Sequence, residues 1–238
     1  MTIAHLASAV YETARISAPT IVQGLLGTLT AADCDKRLLA WSEKLLEHAG
    51  VDLRVEGLSH AAQGESFVVM SNHQSLYDIP VMFQALRRRV RMVAKHELFK
   101  IPGWGPAMRL AGFVEVDRSD RVQAIRSLDS AKTALAEGTS IWIAPEGTRG
   151  PGGADLLPFK KGGFHLASSA GARILPVSIT GTSHVLSARG RTVTRGVTVH
   201  VLVHEPIATS AYPGDARDQL VSVVRAAIVS GLKVRAVA

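Results

Sequence analysis

Phe67-Val68-Val69-Met70-Ser71-Asn72-His73-Gln74-Ser75-Leu76-Tyr77-Asp78-Ile79-Pro80 is the stretch on which the reading of this chain turns. Its apolar start predicts a buried strand that delivers a histidine into a polar turn. A carboxylate follows five residues after His73, where a helical pattern begins. Five is a poor spacing for two side chains on one helical face, which want three or four. With His73 in the turn and Asp78 in or beside the first helical turn, the carboxylate can accept from imidazole Nδ1–H and leave Nε2 as a general base. A second reading stands beside this one. Ser75-Leu76-Tyr77-Asp78 also fits a capping box, and Asp78 could serve as the N-cap before Ile79-Pro80.

Working outward, 238 residues suffice for one sizeable α/β domain or two small ones. Hydrophobic residues make up 47% and charged ones 20%, which permits a large core and leaves apolar surface over. The formal charge of +7 points to an anionic partner, whether phosphate, nucleic acid or an acidic lipid surface. Aromatics at 5% argue against a single-strand nucleic-acid face, which needs stacking platforms. The single Cys34 excludes an intrachain disulfide framework and a multi-cysteine metal site, and with no basic neighbour in sequence it reads as an inert thiol. No stretch has the layout of a signal peptide, so a cytosolic or cytosol-facing location is expected.

Residues 1 to about 50 differ from the rest. Arg15 and Asp33 bracket an uncharged run, Ile16 to Ala32, that is too short and too polar for a spanning helix. It predicts helices lying in a membrane interface, with packing on the domain's own core as the other reading. Asp33 to Ala49 is an amphipathic helix stopped by Gly50. From Val51 the period changes: Val51–Glu56 alternates as a half-buried strand, and apolar runs recur at 67–70, 91–94, 113–116, 141–144, 174–179 and 197–203. Helical stretches such as 121–136 and 164–170 separate most of them. The expectation is one α/β domain, residues 51–238, with a mostly parallel or mixed sheet covered by helices, preceded by a helical membrane-associating segment, residues 1–50.

Three further turns follow predicted strands and carry basic residues: Lys95-His96-Glu97-Leu98, Asp117-Arg118, and Pro145-Glu146-Gly147-Thr148-Arg149. Ligands of open α/β sheets bind where strand ends and their loops gather, so Lys95, Arg118 and Arg149 can converge on one anionic group, with Lys160 and Lys161 near in sequence. Taken together, Asn72-His73-Gln74-Ser75-Leu76-Tyr77-Asp78 resembles the HxxxxD motif of the lysophosphatidic acid acyltransferase (1-acyl-glycerol-3-phosphate acyltransferase) family. Phe113–Arg118 is similar to that family's second motif. Pro145–Arg149 matches the third, with Ala144 where phenylalanine is usual, and Leu175-Pro176-Val177 resembles the fourth. The likeness covers about residues 51 to 205.

The resemblance implies direct transfer of an acyl group from acyl-CoA or acyl carrier protein to the hydroxyl of a lysophospholipid, with no other cofactor. His73 and Asp78 would be the catalytic pair. Lys95, Arg118, Glu146, Gly147, Thr148, Arg149 and Pro176 would form the acceptor site. Since like charges repel, Glu146 is expected to orient Arg149 or a hydroxyl rather than touch phosphate. The partners implied are a lysophospholipid, an acyl thioester and an anionic membrane surface at the cytoplasmic face, met peripherally or monotopically. Lysophosphatidic acid is the leading acceptor. A different lysolipid, such as lyso-ornithine lipid, and a non-catalytic basic membrane-binding module are the alternatives. No Gly-x-Ser-x-Gly elbow, Walker loop or dinucleotide glycine run is present. His200 and His204 share a predicted strand face without a third ligand, so no metal is expected. The run Arg87-Arg88-Arg89-Val90-Arg91 is read as solvated or lipid-facing surface rather than a nucleic-acid site.

Overall fold

Continuous apolar runs become central strands when both of their faces are covered, and the computed structural model, which describes residues 3–117 and 121–234, has that arrangement. In chain order come helices α1 (Ile3–Leu25) and α2 (Ala31–Ala49), strands β1 (Asp52–Glu56) and β2 (Val68–Ser71), helix α3 (Asp78–Leu86), strand β3 (Val90–Lys95), helix α4 (Trp104–Leu110) and strand β4 (Val114–Val116). Then follow α5 (Arg121–Ala136), β5 (Ser140–Ile143), α6 (Gly162–Ser169), β6 (Ile174–Thr180), α7 (Thr182–Val185), β7 (Thr198–Val203) and α8 (Arg217–Val234). The seven strands form one sheet in the order β1-β7-β6-β2-β5-β3-β4. β6, β2, β5, β3 and β4 are parallel, whereas β7 runs antiparallel to β6 and β1 parallel to β7, so the sheet is mixed.

Alternate residues of the same strands feed two cores. Phe67, Val69 and Trp142 pack with Leu38 and Leu46 of α2 and Val81 and Met82 of α3. Val68, Met70 and Ile141 pack with Phe164 of α6 and Leu220, Val224 and Ile228 of α8 on the opposite face. α2 therefore belongs to the core. It is held at its start by a reciprocal capping box between Thr30 and Asp33 and stopped by Gly50 in the left-handed region (φ 60°).

α1 lies outside α2 and reverses the usual pattern. Its polar residues face inward: Glu12, Ser17 and Thr20 are buried, Trp41 Nε1 donates to Thr13 Oγ1 (3.1 Å), and Arg37 donates to Thr20 Oγ1 (3.0 Å) and Gln23 Oε1 (2.5 Å). Its outward residues include Leu6, Val10, Tyr11, Val22 and Leu25, the last 83% exposed. Among the described residues no helix is long and apolar enough to cross a membrane.

Of the basic run 87–91, Arg87 is exposed, whereas Arg88, Arg89 and Arg91 are bound into the structure. Arg89 and Arg91 reach Asp35 of α2 (3.0 and 2.7 Å), and Arg88 stacks over Phe67 and donates to the Glu65 carbonyl. Arg87 closes α3 in the left-handed region. These arginines join α2 and the β2 entry to the sheet.

Candidate active site

The site is built at the carboxyl ends of the parallel strands, beginning with the turn between β2 and α3. Ser71 Oγ accepts from Trp142 Nε1 (2.9 Å) of β5 and donates to the Asn72 carbonyl. The Asn72 amide makes both halves of a peptide-like pair with Ile179 of β6, Nδ2 to carbonyl and Oδ1 to N–H, each 2.8 Å. Gln74 Nε2 adds a bond to the same carbonyl (2.7 Å). The turn is thus fastened to both neighbouring strands before His73 is reached.

His73 Nδ1 lies 2.7 Å from Asp78 Oδ2. The same oxygen accepts the backbone N–H groups of Gln74 (2.7 Å) and Ser75 (2.9 Å), and Oδ1 accepts the Thr182 hydroxyl of α7. The Asp78 side chain is fully buried and that of His73 is 20% exposed. With a carboxylate facing Nδ1, the proton of the neutral ring sits there and the Nε2 lone pair is free for a substrate. The capping reading changes form. Tyr77 occupies the N-cap position without a side-chain cap bond, and Asp78 is the first helical residue. Its carboxylate folds back to hold the preceding turn and the imidazole together.

Glu146 differs from expectation: its carboxylate faces neither Arg149 nor solvent. Oε1 accepts the His73 backbone N–H (2.9 Å) and Oε2 that of Leu157 (2.8 Å). The His73 carbonyl in turn accepts the Gly150 N–H (2.7 Å), so the loop after β5 grips the histidine's backbone on both sides. A Cβ on Gly150 would come within 2.9 Å of Glu146 Oε2, which explains the glycine. Burial pushes the Glu146 carboxyl above its ordinary value, against the two amide N–H groups and His73, which lower it.

Sheet order explains the gathering of the basic residues. β2, β5, β3 and β4 are neighbours and parallel, so the turns holding His73, Arg149 and Lys95 open at one end, with adjacent strands about 4.8 Å apart. Arg149 is half-buried and has no hydrogen-bond or ion-pair partner among the described residues. Gly147 takes the positive φ (73°) that turns the chain back, and Thr148 is exposed at the rim. Lys95 is 69% exposed and pairs with Glu97 (2.7 Å), while Lys161 pairs with Asp218 on α8. Arg118 lies outside the described residues.

Pro176 packs within the sheet. It is buried in β6 opposite Met70, and its carbonyl accepts the His204 N–H (3.0 Å) just beyond the end of β7. Its missing N–H falls where that ladder has finished, which is why proline is tolerated in an interior strand.

Asn72 and Thr182 carry roles that no motif announces. Asn72 lies beside the histidine, so its place in the turn was visible, but Thr182 lies 104 residues from Asp78 and leaves no local signal. A hollow of about 590 Å³ lined by Glu65, Lys132 and Arg173 lies at the opposite, amino ends of the strands, away from this chemistry. Among the described residues no three His, Cys, Asp or Glu side chains gather as metal ligands.

A strand-end histidine whose Nδ1 faces a buried carboxylate is an arrangement suited to a general base, and an arginine without a partner among the described residues lies in the neighbouring loop. Residues 52–180 match the Acyltransferase family model, and the chain belongs to that family. It is 35% identical over 186 residues to mouse 1-acyl-sn-glycerol-3-phosphate acyltransferase alpha, covering 76% of this chain and 65% of the relative. The yeast (Saccharomyces cerevisiae) 1-acyl-sn-glycerol-3-phosphate acyltransferase is 32% identical over 186 residues, 77% of this chain and 61% of its own. The chain therefore spans less than two thirds of the length of these curated relatives. The crystal structure of the 1-acyl-sn-glycerophosphate (LPA) acyltransferase PlsC from Thermotoga maritima superposes with a TM-score of 0.77 at 28% identity, covering 97% of this chain and 95% of that one.

Proposed function

We propose that this chain is a 1-acyl-sn-glycerol-3-phosphate acyltransferase. It moves a fatty acyl group from acyl-CoA or acyl carrier protein to the free hydroxyl of lysophosphatidic acid, giving phosphatidic acid. The observation that carries the reading is the 2.7 Å His73–Asp78 pair on a turn gripped from both sides. His73 Nε2 removes the hydroxyl proton as that oxygen attacks the thioester carbonyl carbon. Collapse of the tetrahedral intermediate breaks the C–S bond, and the imidazolium returns its proton to the departing thiolate. Asp78 holds the imidazole tautomer and stabilises the imidazolium. Arg149, with Arg118 and Lys95, binds the acceptor phosphate, where a guanidinium grips two oxygens at once. The acceptor class is supported by the names of the relatives and the neighbouring structure.

The enzyme works at the cytoplasmic face of a membrane, attached peripherally or monotopically through α1. Support comes from the apolar outer face of that helix, whose polar residues are turned inward. The test of the activity is product formation by the full chain on a panel of lysolipids with each thioester donor. Lysophosphatidic acid should be the preferred acceptor and the initial-rate pattern sequential, since both substrates are bound together. Preference for lyso-ornithine lipid would overturn the acceptor, a labelled acyl group trapped on the protein would overturn direct transfer, and absence of all turnover would leave a non-catalytic membrane module.

A further inference from the structure

Between α7 and β7 the chain runs Ser187-Ala188-Arg189-Gly190-Arg191-Thr192-Val193-Thr194-Arg195-Gly196, with three arginines and no acidic residue. All three arginines are exposed, and none has a hydrogen-bond or ion-pair partner among the described residues. Arg15, Arg54, Arg89, Arg91, Arg109 and Arg173, by contrast, each meet a carboxylate. The loop is anchored at both ends. Leu186, just before it, accepts the Ser75 hydroxyl of the catalytic turn (2.6 Å), and Thr194 N–H returns to the Val185 carbonyl (2.9 Å). At the far end Gly196 N–H meets the Ala49 carbonyl (3.2 Å), and Arg195 Nε lies 4.0 Å from where a Gly50 Cβ would be. That end of α2 is joined to α1 through His48 Nδ1 and Ser8 Oγ (2.5 Å). The arginine loop thus runs from the catalytic turn to the carboxyl end of α2, the end that Ser8 of α1 also meets.

The exposed apolar residues of α1 and the unpaired arginines of a loop that meets the same end of α2 suit the two layers of a bilayer surface, acyl chains and phosphates. We propose that loop 187–196 binds the phosphate groups of anionic phospholipids, which also sets the height of His73 against the headgroups. This rests on the membrane reading of α1 and assigns the contact with anionic lipid to one loop. Phosphates of the acyl donor are the competing ligand, but the meeting of the loop and α1 at one end of α2 favours the lipid surface.

The experiment is vesicle partitioning of the full chain, as wild type and as R189Q/R191Q/R195Q, on phosphatidylcholine alone and on phosphatidylcholine mixed with phosphatidylglycerol. Wild type should prefer the anionic vesicles. The triple variant should lose about fivefold in anionic partitioning per arginine removed, at low salt, and keep its binding to phosphatidylcholine. Its activity on detergent-dispersed acceptor should match wild type. Equal partitioning of variant and wild type on anionic vesicles would overturn the loop's role while leaving α1 as the anchor. A raised KM for the thioester in detergent, with vesicle binding unchanged, would reassign the arginines to the donor and also overturn it. Failure of wild type to bind either vesicle would instead sink the membrane reading itself.

Discussion

Asp78 is the residue whose surroundings make the sharpest test. Oδ2 takes three donors and Oδ1 one hydroxyl, which can also accept. An asparagine can place its oxygen where Oδ2 lies and its NH₂ against Thr182 Oγ1, so every bond and the His73 tautomer survive while the charge is removed. Asp78→Asn should therefore keep the fold, with a lowered melting temperature because charge-assisted bonds become neutral ones. It should lose about 10²- to 10⁴-fold in kcat because no charge stabilises the imidazolium. Near-normal turnover would reduce Asp78 to a holder of the turn. Glu146 makes a second, separable case. Glutamine has one acceptor oxygen for two N–H groups, so Glu146→Gln sets an NH₂ against the amide of His73 or Leu157. Losing a charge-assisted bond costs about 1.5–3 kcal/mol of stability, and the part of it that shifts His73 from its place is read in kcat, up to about a hundredfold. Acceptor KM should hardly move, because both Glu146 oxygens are taken by the main-chain N–H groups of His73 and Leu157. A raised acceptor KM with kcat intact would return Glu146 to the binding site. The motif containing Glu146 was legible in the sequence, but its partners were not, because a carboxylate that accepts main-chain N–H groups looks the same in sequence as one that faces an arginine.

α1 shows what a single helix can hide. Its polar positions at Glu12, Thr13, Ser17, Thr20 and Gln23 recur with helical spacing. Periodicity gives two faces without saying which is inward, and here burial falls on the polar one because α2 offers Arg37, Trp41 and His48 as partners. The exposed side chains of α1 make no contribution to that seam. Val10→Glu and Leu25→Glu should therefore leave the melting temperature within a degree or two of wild type, as surface changes do. Each should weaken partitioning onto vesicles, by up to about 1.5–3 kcal/mol where the side chain is fully inserted. Flotation assays at constant salt read this directly. Unchanged flotation of the double variant would show that the outer face of α1 meets something other than lipid.

At the scale of the molecule, the positions of all seven strands were legible because buried strands read as apolar runs, and the alternation with helices gave the α/β class. The strand order was not, since it depends on long-range pairings such as Asn72 with Ile179, and nothing local distinguishes reversed β7 from its parallel neighbours. Where β7 ends, His204 joins three elements. Its Nε2 lies 2.7 Å from Ser178 Oγ of β6, and that hydroxyl donates to the Ile228 carbonyl of α8 (2.7 Å). Gly231 of α8 lies so close that a Cβ there would be 2.5 Å from Ser178 Oγ and 3.1 Å from His204 Nε2. Burial, with a smaller effect of His60, lowers the His204 pKa below its ordinary 6.5. The unfolded chain then binds a proton at a pH where the folded one does not, so stability must rise with pH across that interval. The His204 contribution is complete above about pH 6.5 and is lost on acidification toward its depressed folded value. Glu146 acts with the opposite sign, its raised pKa costing stability as pH climbs above the ordinary carboxyl value, but it is common to both proteins in the comparison that follows. His204→Gln retains an NH₂ donor for Ser178 and removes the titration. Denaturant unfolding at a series of pH values from 5 to 7.5 should show wild type losing stability toward acid more steeply than the variant, with the two curves parallel above pH 7. Parallel curves throughout would mean that His204 titrates alike in the folded and unfolded chain, and that the join between α8 and the sheet does not sense pH.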